Sequence, residues 1–199
     1  MKKTTLLLFI LFLFNASYSQ NKETTRLLES IEGKWKQDEK KYITYQEIVE
    51  IPNISKDILF SRAENYFAYT YKDANSVIQV NNKESGTLIG KGIFPDVYSK
   101  GGLILTIVSV KHILKIECKE NKVRVTLSLT DYDIKIVSTQ GTEHSSNAIY
   151  KYYPIDKKGM AKNNYGQAFY YSHKTAIQTI DEIVKSLKGD SLENNNDDW

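Results

Sequence analysis

The chain has 199 residues, 41% of them hydrophobic and 26% charged, with three prolines, which is material for one core and hardly for two. One cysteine, Cys118, excludes an intramolecular disulfide and a thiolate metal site. The formal charge of +3 falls to +1 once Lys2 and Lys3 are set aside with the leader described next, leaving 25 basic against 24 acidic residues, too even a balance for a nucleic-acid footprint.

The first nineteen residues read as a secretory signal peptide. Lys2 and Lys3 form a basic start, Leu6 to Phe14 is an unbroken apolar run, and Ser17 and Ser19 supply the small residues for cleavage before Gln20. The run is far shorter than the ~20 residues needed to cross a bilayer. A retained anchor is the alternative reading; after cleavage no integral span is expected. No cysteine lies near the leader, so the lipoprotein form is absent.

Residues 20–42 read as a short helix and a linker. Thr24 or Thr25 can cap the helix, Leu27, Leu28 and Ile31 form one face, and Gly33 can end it. Lys36 to Lys41 reads as a solvated connector. Tyr45 to Ile51 alternates as a strand, and Pro52 stops it. Ser55 then caps a helix over about Lys56 to Tyr71, with Asp57 in its first turn. Ile58, Leu59, Ala63, Tyr66, Phe67 and Thr70 recur at helical spacing, and Asp73-Ala74-Asn75 ends the run.

Ser76 to Val80 reads as a short strand, Asn81 to Gly86 as a polar turn, and Thr87 to Phe94 as a strand. Gly90 and Gly92, two apart on one face of it, point to a bend or a close backbone approach. Pro95 to Gly102 reads as a loop and Leu103 to Val110 as a strand. Next comes a hairpin about Glu120-Asn121. Positions 118, 116, 114 and 112 pair with 123, 125, 127 and 129, which puts Cys118, Ile116 and Leu114 opposite Val123, Val125 and Leu127 on one face. The same register sets Glu117 against Arg124 and Lys115 against Thr126 on the other, and a slip of one residue would destroy both faces. Ser138 to Asn147 has no clear period and reads as an excursion loop or an extra strand pair. Phe169, His173, Ala176, Ile177, Ile180, Ile183, Val184 and Leu187 form a helical stripe that Gly189 can stop. Residues 189–199 read as a disordered tail, and 43–188 as one α+β domain.

Chemistry is sparse. The histidines at 112, 144 and 173 share no ligand spacing, so no metal or other cofactor is expected. No phosphate loop, nucleophile elbow or dinucleotide fingerprint occurs, and no catalytic residue is assigned. Cys118 reads as a small buried strand residue, His173 as a core histidine.

The segment from Glu47 to Gly92 carries a further signal in Pro52…Ser55-Lys56-Asp57…Leu59…Arg62-Ala63, Tyr66-Phe67, Ile78-Gln79 and Ser85-Gly86…Gly90-Lys91-Gly92. It resembles an uncharacterised family of secreted bacterial proteins with a TBP-like fold, domain of unknown function 4468, over about Tyr45 to Asp133. The elements read in the order β-α-β-β-β-β-α, and the resemblance implies a curved antiparallel sheet with two main helices packed on one face and the other face partly open. It implies no activity. Together with the leader it places the protein in the periplasm or at the cell surface.

The open face is expected to carry Lys115, Glu117, Arg124, Thr126, Ser128 and Tyr132, beside a loop with Tyr150, Tyr152 and Tyr153. The reading is a non-enzymatic module binding a protein, peptide or glycan partner of the cell envelope, and no nucleic acid. One alternative is an envelope hydrolase of glycans or peptides using Asp131 or Asp133; another is an oligomerising component.

Overall fold

A computed structural model describes residues 22–71, 77–157 and 161–189. The leader at 1–19, the helix end at Asp73-Ala74-Asn75 and the tail beyond Gly189 lie outside the described residues. Seven strands form one antiparallel sheet: β1 (Lys36–Gln37), β2 (Ile43–Glu50), β3 (Ile78–Asn82), β4 (Thr87–Lys100), β5 (Leu105–Lys119), β6 (Lys122–Ser138) and β7 (Gly141–Ala148). They run β1-β2-β6-β5-β4-β3 across the sheet, and β7 pairs with β6 beyond the end of β2. Helix α1 (22–29), α2 (Lys56–Thr70) and α3 (Lys162–Lys188) complete the α+β fold. The last two pack on one face, α2 against β4 and β5, α3 against β2, β4 and β6.

Each main helix has a local cause. Ser55 accepts the Ile58 N–H at the start of α2, where Asp57 meets the positive end of the dipole. Leu59, Phe60, Ala63, Tyr66 and Phe67 form its buried side. Ile58 and Thr70, expected on that side, are exposed instead. Helix α3 buries its expected stripe except Ile177, and Gly189 closes it in a left-handed conformation, its N–H donating to the Lys185 and Ser186 carbonyls. Each fully buried Ile, Leu or Phe of such a stripe contributes about 1.5–3 kcal/mol.

The β5–β6 register is the expected one: Cys118 faces Val123, Ile116 Val125, Leu114 Leu127, Glu117 Arg124 and Lys115 Thr126. Cys118 is buried, and burial pushes its thiol up to about 12, so it acts as a packing group. His173 is a core histidine, with Nδ1 3.2 Å from the Tyr45 hydroxyl. Gly90 and Gly92 are sites of close approach. A Cβ on Gly90 would lie 2.3 Å from the Phe67 ring, and one on Gly92 2.6 Å from His112 Nε2.

Several boundaries differ from expectation. Thr24 lies inside α1, its hydroxyl donating to Asn163, and Ile31 enters the core, so α1 belongs to the packed unit. Lys36 and Gln37 of the connector pair with β2. Pro95 does not end β4; the strand bulges between Phe94 and Tyr98 and continues. Asp96 holds that bulge, its N–H donating to Ser109 Oγ at 3.0 Å. The segment after Ser138 forms β7, the strand alternative of the two.

The second bulge decides which side chains reach the open face. His112 pairs with Leu129 and Lys111 with Asp131, so Thr130 is an extra residue in β6. Before it the odd positions Val123, Val125, Leu127 and Leu129 are buried; after it the even positions Tyr132 and Ile134 are. Tyr132 therefore points into the core, contrary to its expected place on the open face.

Candidate functional site

The face opposite the helices is built in cross-strand rows. Neighbouring rows are two residues, about 6.8 Å, apart along each strand. One row runs Val80, Ile89, Lys115, Thr126 and Gln46; the next runs Thr87, Glu117, Arg124 and Ile48. On the other side of the first lie Lys91, Ile113, Ser128 and Thr44. These three rows, with the Lys119–Lys122–Glu50 row at the β5–β6 turn, form the turn half of the face.

Glu117 is the centre of charge there. Arg124 grips it with two hydrogen bonds, Nε to Oε2 at 2.7 Å and Nη2 to Oε1 at 2.8 Å, and Lys115 Nζ lies 3.0 Å from Oε1. The Arg124 hydrogen bonds first, and Lys115 behind them, hold Glu117 down at about 2 against its partial burial. The carboxylate stays ionised and fixes the guanidinium side-on. Its exposure keeps the pair's contribution to stability under about 1 kcal/mol. Ser128 shares a hydrogen bond with Thr44 at 3.1 Å.

The face is not bare at its rim. The turn between β1 and β2 folds beside it, closed by the Asp38 N–H on the Tyr42 carbonyl at 3.0 Å. Asp38, Glu39, Lys40 and Tyr42 enclose a hollow of about 330 Å³ with Ile89, Ile113, Lys115, Thr126 and Ser128. A larger crevice of about 650 Å³ lies at the edge of β4 left free where β3 begins, lined by Tyr71, Val77, Lys91, Gly92, Lys111, His112 and Asp131 among others. His112 Nε2 meets the Tyr71 hydroxyl at 3.1 Å and its ring stacks on Phe94. Burial pushes His112 down to about 4, against a smaller opposing pull from the Val110 backbone.

Five expected site residues, Lys115, Glu117, Arg124, Thr126 and Ser128, come together on this face. The tyrosines do not join them. Tyr132 is wholly buried and packs with Tyr165 and Tyr152. Tyr152 also packs tilted against Tyr165 of α3, ring centroids 4.2 Å apart, and Tyr153 packs against Gly166 of the same helix. Tyr150 sits under Lys41 and Lys151. Asp131 and Asp133 do share the open side, with Asp133 ion-paired to Lys111 at 3.0 Å. Among the described residues no cluster of three or more metal-ligating side chains occurs, and no helix is long and apolar enough to cross a membrane.

Sequence reasoning missed Ile48, Ile89, Ile113, Lys91, Lys119 and Lys122 as members of the face. Their signal was available: Ile89 and Ile113 fall out of phase with the core positions Leu88, Gly90, His112 and Leu114.

A one-faced sheet of this order, with a capped helix between β2 and β3 and the Gly90-Lys91-Gly92 approach, is the arrangement the family resemblance implied. Residues 45–133 match the DUF4468 family, described as a domain of unknown function with TBP-like fold. The match runs from β2 into β6 and covers the same stretch as the resemblance in the sequence. Two solved structures share the fold. A TBP-like protein from Parabacteroides distasonis ATCC 8503 has a TM-score of 0.58 and 16% identity, over 77% of this chain and 96% of that one. A DUF4468 family protein from Bacteroides ovatus ATCC 8483 has a TM-score of 0.58 and 14% identity, over 78% and 91%. No curated protein matches the chain.

Proposed function

We propose that this DUF4468 protein is a non-enzymatic binding module of the bacterial cell envelope, exported on the leader at 1–19, and that the open sheet face takes its protein, peptide or glycan partner. One observation carries the reading. The turn half of that face presents Ile48, Ile89 and Ile113 among Lys115, Arg124, Thr126 and Ser128 in regular rows, while both main helices lie on the other side. Ile48 is 61% exposed, a large apolar group on a strand whose other face is core.

Site-specific photo-crosslinking tests this. Benzoylphenylalanine replaces Thr126 on the face or, as the control, Tyr69, an exposed residue of α2. The Thr126 variant is expected to give discrete higher-mass species in the producing bacterium that the Tyr69 variant lacks. Identical patterns from both positions, or none from Thr126, would remove the face as the site.

A further inference from the structure

We infer that the partner of the turn half is an extended, acidic polypeptide segment, an inference that rests on the open face being the binding surface. Charge is the first argument. On the turn half Lys91, Lys115, Lys119, Lys122 and Arg124 stand against Glu50 and Glu117, and the rim turn adds Lys40 against Asp38 and Glu39, six cations to four acids in all. Glu117 is already shared by two of these cations. Lys119 and Lys122 lie directly opposite each other, an arrangement that repels, and among the described residues neither is in an ion pair. Beyond Thr130 the same face is balanced, Lys111 and Lys135 against Asp131 and Asp133. The positive excess is therefore confined to one half and is not a property of the whole surface.

Shape is the second argument, and it separates a polypeptide from a sulfated glycan. Isoleucines are interleaved with the cations, and an anionic sugar has nothing to place on them. An extended strand presents every second side chain at the same ~6.8 Å interval as the rows. Laid along β5, it would meet Ile113, Lys115, the Glu117–Arg124 pair and Lys119 in turn. The matching segment has an apolar residue followed by acids two and six residues later. The protein already seats such chemistry at the rim, where Asp38 and Glu39 adjoin Lys115, Ile89 and Ile113. Carboxylates supplied by a partner would relieve the Lys119–Lys122 repulsion and raise the association rate through the local field.

The probe is a fluorescein-labelled twelve-residue peptide in which an Ile is followed by Glu two and six residues later, with Ser or Thr at the other positions, and its binding is followed by anisotropy with the chain from Gln20 onward. The companions are the same peptide with Gln for Glu, and a heparin-derived oligosaccharide. Saturable binding of the Glu peptide is expected, at least tenfold tighter than the Gln peptide. K119E with K122E is expected to weaken it at least tenfold, and K111E in the balanced half less than threefold, with urea midpoints showing that each variant is folded. Residues 190–199 hold Asp190, Glu193, Asp197 and Asp198. If their removal tightens the peptide, they compete for the same cations, and the inference stands. No saturable peptide binding with or without that segment, equal affinity for the Gln peptide, indifference to K119E/K122E, or binding of the oligosaccharide alone would each overturn it. Crosslinks at Thr126 would survive any of those results, so failure here is distinguishable from failure of the broader reading.

Discussion

Strand β6 is two strands in one, and its halves on either side of Thr130 face the sheet in opposite phase. From Val123 to Leu129 the odd residues are core and the even ones, Arg124, Thr126 and Ser128, meet solvent. From Asp131 onward the odd residues are outside and Tyr132 and Ile134 are core. One extra residue absorbs the change, and its hydroxyl donates to the Lys111 carbonyl at 3.3 Å where the ladder is interrupted. The halves also differ in charge: on the open face the first carries more cations than acids, while the second sets Lys111 and Lys135 against Asp131 and Asp133, with Lys111 ion-paired to Asp133, and is flanked by β7. The bulge thus separates a surface with excess positive charge from one whose charges balance.

Truncating one residue from each half gives the largest contrast. Tyr132→Ala should cost about 3–5 kcal/mol in urea unfolding, because it empties a fully buried aromatic site against Tyr152 and Tyr165. Thr126→Ala should lie within about 0.5 kcal/mol of the parent. Equal effects would mean that the phase change at Thr130 is wrong.

The two faces should also titrate apart. His112 on the core face has its pKa lowered from 6.5 to about 4, so it is neutral when folded and charges readily only when unfolded. Its contribution is full above pH 6.5, declines as pH falls from there to about 4, and amounts to about 3 kcal/mol by linkage. Urea midpoints at pH 7, 5 and 4 should show this slope, and His112→Gln should remove it. Glu117 on the open face is depressed from 4.5 to about 2, so its contribution is lost only as pH falls through that lower window.

Neighbours on β4 give a third contrast. Gly90→Ala should cost about 1–3 kcal/mol, since the new methyl meets the Phe67 ring. Lys91→Ala, one residue on and facing out, should change little. Arg124→Ala should also cost little, under about 1 kcal/mol. There the useful readout is the Glu117 titration by NMR, which should move up from about 2 toward 4.5 and stop short because Lys115 remains.

The sequence made legible whatever rests on uninterrupted periodicity. The β5–β6 register could be read because Cys118, Ile116 and Leu114 match Val123, Val125 and Leu127 without a break. Ser55 and Gly189 marked helix ends because cap chemistry is local. Tyr132 was misplaced because the alternation continued past Thr130, and one residue between Leu129 and Asp131 does not announce itself as a bulge. Pro95 looked like a stop, yet a bulge accommodates a residue with no N–H to donate. Strand β7 was ambiguous because most of its side chains are exposed, which leaves no apolar period to read. The tyrosines at 152 and 153 looked like binding groups because what covers them, α3, lies distant in sequence.

Differential lysine modification tests the central claim, that the turn half of the open face is the occupied surface. Lys115, Lys119 and Lys122 would be compared with Lys174 and Lys185 on the exposed side of α3, in the purified protein and in the producing bacterium. The account predicts that the three face lysines are protected in the bacterium relative to the purified protein while the two helix lysines react alike in both. Equal reactivity of all five in both settings, or protection confined to α3, would contradict it.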